Sequence, residues 1–271
     1  MNVFWPLALI TFKEGVRNRA LYGIALLALL MLAATQLVCG MIMRDVGKVA
    51  IDMALSTVSF AGVLLVLFVG INLMAKDLDR RTIYMVLSRP ISRSQYIVGK
   101  FAGVALLVLA ATAFLGGAAI VSIGLTKVLY PTFFASQFAW STVLVALVLI
   151  ALMLVLLTAL SFLFASLTST SFVTLILTVV SYVIGQSLTD VKALVEAPRV
   201  VGIEIPAATV KLVQFAYYVF PNLSLFDVKT QAAYGLTLPA PYLGWIVFYG
   251  VVYTALAVTA AALLFRRREF P

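Results

Sequence analysis

Charge is absent from long stretches of this chain, and those stretches set its layout. Uncharged runs cover Ala20–Met43, Met53–Ala75 and Phe101–Thr126, and a longer one extends from Val128 to Thr189. Each of the first three exceeds the ~20 residues a helix needs to cross a bilayer core. The fourth is long enough for two crossings and is divided at Ser166-Leu167-Thr168-Ser169-Thr170-Ser171. That division predicts spans near Phe138–Ala165 and Phe172–Leu188 joined by a very short turn. A last apolar run, Tyr242–Phe265, stops at Arg266-Arg267-Arg268. The pattern predicts an all-α integral membrane protein with six transmembrane helices, a single membrane domain over residues 1–271.

The segments between the runs carry the remaining information. Asn2–Arg19 is apolar and aromatic at its front and charged at Lys13, Glu14, Arg17 and Arg19. It reads either as a helix lying in the membrane interface or as an early extension of the first span. Arg44–Asp52 reads as a short outer loop. Lys76–Lys100 is a basic island, and Asp190–Pro241 is the longest extramembrane segment. Within the latter, Leu212–Phe226 is uncharged, aromatic and interrupted by Pro221. It is too short to span, so it either lies in the outer interface or dips inward re-entrantly.

Charge then fixes sidedness. The whole chain has 19 basic and 10 acidic residues, a net charge of +9. Threaded through six spans with both ends inside, the cytoplasmic segments balance to +8 and the outer ones to +1. Positive charge concentrates on the cytoplasmic side of membrane proteins, so this asymmetry accounts for the basic character without nucleic acid. With 64% hydrophobic and 11% charged residues, no soluble domain of ordinary size fits beside the spans. Histidine is absent, which removes zinc-peptidase motifs and Ser-His-Asp triads. The lone Cys39 forms no intramolecular disulfide. No span has a charge near its centre, which argues against an intramembrane acid–base enzyme and an ion-coupled carrier. Met31, Met41, Met43 and Met53 fall toward the outer ends of the first two spans and could line a soft-metal path. Methionine is equally an ordinary filler, and no metal site is assigned. Gln36 and Asn72 read as interhelical hydrogen-bonding groups, and Gly99/Gly103 as a close-packing pair.

The basic island has the most specific chemistry. Ser92-Arg93-Ser94-Gln95 fits a capping box at the start of the third span. Pro90 stops the preceding segment from running straight into that span. Ile83, Tyr84, Val86 and Leu87 fall at helical spacing ahead of the break, as in a short helix offered to a cytoplasmic partner.

This island resembles the cytoplasmic loop of ATP-binding-cassette type-2 permeases. Asp77, Thr82, Leu87, Pro90, Ser92, Arg93, Gly99 and Lys100 match its pattern of acidic residue, Thr, apolar residues, Pro, Ser-Arg and Gly-Lys. The interfacial first helix, six spans and long fifth–sixth outer segment agree. The chain is also similar to the NosY-like subgroup linked to copper-enzyme maturation, with Pro221-Asn222-Leu223-Ser224-Leu225-Phe226 adding weight. The resemblance implies two copies of the chain paired with two cytoplasmic ATPase subunits, which bind ATP and Mg. Ile83, Tyr84, Val86 and Leu87 would form the ATPase-contacting face, Arg89 and Arg93 would meet acids on it, and Pro90 would set the corner. The chain itself is expected to hold no cofactor and to be no enzyme. It has no GxxxxGK[ST] loop, and Gly99-Lys100-Phe101 lacks the upstream glycine and the hydroxyl residue. The expected location is the cytoplasmic (inner) membrane of a prokaryote, surrounded by lipid. ATP-driven export or movement of a substrate is the first expectation. The second is mechanotransmission, in which the chain relays ATPase motion to an outer-side (periplasmic) protein and carries nothing.

Overall fold

The computed structural model describes residues 4–42, 45–74, 92–134, 138–168, 170–196 and 207–267; among these, every regular element is helical. Six helices are long and apolar enough to cross a membrane, as the run lengths predicted. They are α2 (Arg19–Met41), α3 (Val46–Leu65, continuing through a π turn to Met74), α4 (Arg93–Leu129), α5 (Trp140–Leu167), α6 (Ser171–Glu196) and α9 (Ala240–Arg267). Three shorter helices complete the chain: α1 (Phe4–Val16), α7 (Ala207–Val219) and α8 (Lys229–Tyr234).

Of the two readings of the N-terminus, a separate helix is the one adopted. Asn18 is extended (φ −75°, ψ 127°) and its Oδ1 accepts the Ala20 N–H at 2.9 Å, capping α2. The break frees α1 to turn onto α4, where Ala8, Thr11 and Gly15 are buried. The contact is backbone-close: a Cβ at Gly103 would stand 2.5 Å from the Ala8 carbonyl oxygen, and one at Gly99 would stand 2.8 Å from Leu7. Trp5 and Ile10 remain exposed on the other side.

α3 and α5 form the centre. α3 packs on α2, α4, α5 and α8, and α5 packs most extensively on α9 while also touching α3, α4 and α6. Lipid is as apolar as leucine, so small residues that let helices approach do the work that water does in soluble cores. Gly62 of α3 lies under Leu154 of α5 in this way. Gln36 is an interhelical group as expected. Its Nε2 donates to the Ser122 carbonyl (2.9 Å) and hydroxyl (2.8 Å), and its Oε1 accepts from Thr126 (3.1 Å). Asn72 differs: it is exposed, and its amide donates to the Phe68 carbonyl of its own helix.

Several boundaries drawn from charge move. The outer loop expected at Arg44–Asp52 is shorter, because α3 already begins at Val46. Asp45 takes a left-handed conformation (φ 57°), tolerated by Asp, and pairs with Lys48 at 2.9 Å, whose ammonium lies 4.4 Å from the Tyr234 ring centroid. With Val46, Gly47, Ala50 and Ile51 buried between them, charged residues sit on an exposed stripe and do not end the helix. Likewise α6 runs to Glu196, past Asp190, and Lys192 lies 4.3 Å from the Tyr217 ring of α7. α4 starts eight residues before the uncharged run does, because Ser92 caps it.

The outer segment resolves in favour of an inward dip. After α7 the chain turns at Pro221, and a 3-10 turn over Leu223–Phe226 buries Leu223 and Phe226 completely. A Cβ on Gly250 would stand 3.0 Å from the Phe226 ring. Gly250 is ten residues into α9, about 15 Å along its axis. The turn therefore sits well inside the bundle, packed on α5 and α6 and facing α9. α8 returns the chain over α3 and α5, and Gly235 (φ 67°) ends it in the left-handed conformation that favours glycine.

Candidate functional site

The cytoplasmic island leaves α3 at Met74 and rejoins at Ser92. Of the residues expected to meet an ATPase, Ile83, Tyr84, Val86, Leu87, Arg89 and Pro90 lie outside the described residues. The two stems that carry them are described. The capping box forms at the second stem: the Gln95 N–H donates to Ser92 Oγ, and the Ser92 N–H donates to Gln95 Oε1, both at 3.2 Å. Two orphan N–H groups of α4 are thereby satisfied, which fixes the direction in which the chain leaves the loop.

Behind the cap, three helix ends meet. Arg93, the first residue of α4, reaches the last turn of α9, where its Nη1 donates to the Arg266 carbonyl at 3.4 Å. Tyr96, 1% exposed, stacks on Phe265 of α9 with ring centroids 6.0 Å apart and planes 23° off parallel. One turn on, Lys100 is 4% exposed; its Nζ lies 5.6 Å from the Tyr96 ring and donates to the Leu73 carbonyl of α3. Leu73 belongs to the final turn of its helix, whose carbonyls have no intrahelical donor. The ammonium thus supplies the missing donor. Its own burial is offset by that bond and by the aromatic face.

Sequence reasoning picked Lys100 only as part of a motif and missed its position between helices. The available signal was spacing: Tyr96 and Lys100 are four apart and share a face, with a lone charge set among Ile97, Val98 and Phe101. Gly99 and Gly103 were read as a packing pair and are one, with α1 as the partner.

A second polar cluster lies at the inward-dipping turn. Asn222, 7% exposed, donates its backbone N–H to the Tyr249 hydroxyl (2.8 Å) and its amide to Thr189 Oγ1 (3.0 Å). Its Oδ1 accepts from Ser224 Oγ at 2.8 Å, and the Thr189 and Ser224 hydroxyls bond each other. Gly185 makes room, since a Cβ there would stand 2.8 Å from both Leu223 and the Pro221 carbonyl oxygen. Asn222 thus ties α6 and α9 to the turn, a role its place in Pro221–Phe226 did not reveal.

The sequence matches the family described as ABC-2 family transporter protein over residues 5–270, from α1 through the last span. None of the curated proteins compared with it matches. The match takes in both the inner cluster around Lys100 and the buried turn at Asn222. With six apolar helices and near-complete coverage, this chain belongs to the ABC-2 transporter family and is the membrane-embedded kind of subunit found there.

Proposed function

We propose that the chain is the permease half of an ATP-driven exporter: two copies span the membrane and two separate ATPase subunits bind beneath them. The observation that carries this reading is the family match across nearly the whole chain. The +8 balance of the inner segments supports a cytoplasmic position for both termini and for residues 76–100, in the cytoplasmic membrane of a prokaryote. ATP and Mg are held by the partner, and closure of the ATPases moves α3 and α4 through the short helix that contains Ile83, Tyr84, Val86 and Leu87. Arg89 and Arg93 meet acids on the ATPase, and Pro90 turns the chain toward α4. The copper-enzyme maturation subgroup is the finer assignment we favour.

The decisive variant is Ile83→Asp. It places a carboxylate in an apolar groove at a cost of several kcal/mol, on the order of a hundredfold in affinity. Membrane levels should match wild type while the ATPase is lost on co-purification, and Lys127→Glu at the outer end of α4 should retain it. Retention of the ATPase by Ile83→Asp would reduce the island to an anchoring loop.

A second reading is favoured by the buried turn at Pro221–Phe226. A segment held by Asn222, Gly185 and Gly250 can carry motion from the bundle to the outer face, so the chain could relay force to an outer-side protein and carry no substrate. Proteoliposome transport of substrate, set against ATP-dependent capture of an outer partner without transport, separates the two.

A further inference from the structure

Lys100 is a buried cation that the permease reading leaves without a task. It is placed where two stems of one loop can be joined. The island departs from the end of α3 and returns at the start of α4, and the Lys100 ammonium bonds the Leu73 carbonyl across that gap. Through Tyr96 against Phe265 and Arg93 against Arg266, the same turns of α4 also hold the end of α9. Directly above, α3 contains a π turn over Val66–Gly70, in which the Ile71 N–H donates to the Val66 carbonyl five residues back. Such turns interrupt the regular ladder and concentrate at functional positions. Here the turn faces α4, where a Cβ on Gly70 would stand 3.4 Å from Val104. The inner end of α3 is therefore tied below and irregular above.

We propose that Lys100 is a positioning residue for energy coupling. It makes the last turn of α3 and the first turns of α4 move as one body, and the π turn takes up the displacement. A push on residues 75–91 then reaches the bundle through both stems together and is not lost by their sliding apart. This rests on the reading in which that segment receives the ATPase.

The test uses the full chain with its ATPase in nanodiscs, Cys39→Ser throughout, and nitroxide labels on Asn72→Cys and Ser94→Cys. Pulsed electron–electron distances should be narrow for Lys100 and for Lys100→Arg, which keeps a charged donor. They should broaden for Lys100→Met. The Met variant should still co-purify the ATPase but lose about tenfold in ATP-driven distance change, the loss expected from one bond to a charged donor. If Lys100→Met does not accumulate as folded protein, Lys100→Gln, whose shorter amide cannot reach Leu73, takes its place. A narrow distance and undiminished ATP response in either variant overturns the inference. A wild-type chain that binds no ATPase overturns the reading beneath it, while the label distances without ATP still decide whether Lys100 ties the stems.

Discussion

At the scale of single residues, glycine at 103 and lysine at 100 do opposite things on adjacent turns of α4. Gly103 lets the backbone of α1 approach until a Cβ would overlap the Ala8 carbonyl oxygen and Thr11. Backbone cannot rotate aside as a side chain can, so Gly103→Val must separate the helices. Overpacking of this kind costs about 1–3 kcal/mol, or on the order of 5 °C in a melting scan of purified protein. Gly117→Ala, with nothing within 4 Å of the new Cβ, should leave the melt unchanged. The small-residue spacing was legible in the sequence because it follows from helical periodicity alone. Its partner was not, since α1 and α4 are far apart in the chain and nothing in either segment names the other. Lys100 was obscured for a related reason: a charge beside an apolar run reads as the run's boundary, whereas a neighbouring helix end can supply an acceptor inside it.

At the scale of elements, the lengths of α2, α5 and α9 follow closely from the uncharged runs, and the departures occur where a charge is accommodated locally. Asp45 and Lys48 pair across the first turn of α3, so charge there marks no end. The segment from α7 to α8 is the element least readable in advance. Pro221 forecast a break, but the depth of the following turn depends on Gly185 and Gly250 opening space on two other helices. Phe226 fills that space. Phe226→Ala would cost about 3–5 kcal/mol in a water-soluble core, an upper bound where the alternative surroundings are lipid. Hydrogen exchange in nanodiscs should then accelerate across residues 207–234 and stay unchanged across α1. Uniform acceleration throughout the chain would show that the turn is a keystone of the whole bundle and not a separately docked unit.

For the whole molecule, the six-span layout and its polarity were the most legible features, because bilayer thickness and the positive-inside bias act on composition, not on packing. They make a direct prediction. With Cys39→Ser as background, Thr170→Cys in the exposed α5–α6 turn should react with an impermeant maleimide only after permeabilisation. Thr237→Cys, exposed between α8 and α9, should react in intact cells. Reaction of Thr170→Cys from outside would invert or discard the topology. The arrangement of helices around α3 and α5 was not foreseeable in the same way, since every span has apolar residues on all sides.

The seating of α1 on α4 also orders the protein's own synthesis. The N-terminal helix leaves the ribosome first, yet the surface that buries Ala8, Thr11 and Gly15 belongs to residues 93–129. While α2 and α3 are being inserted, α1 has no docking face within the chain and must wait at the membrane surface with those positions uncovered. Its closing contact becomes available only after the third span has been translated. Assembly of this end of the protein is thus a late event triggered from the middle of the chain, and a nascent chain stalled before Gly103 would present an undocked N-terminal helix to quality-control proteases.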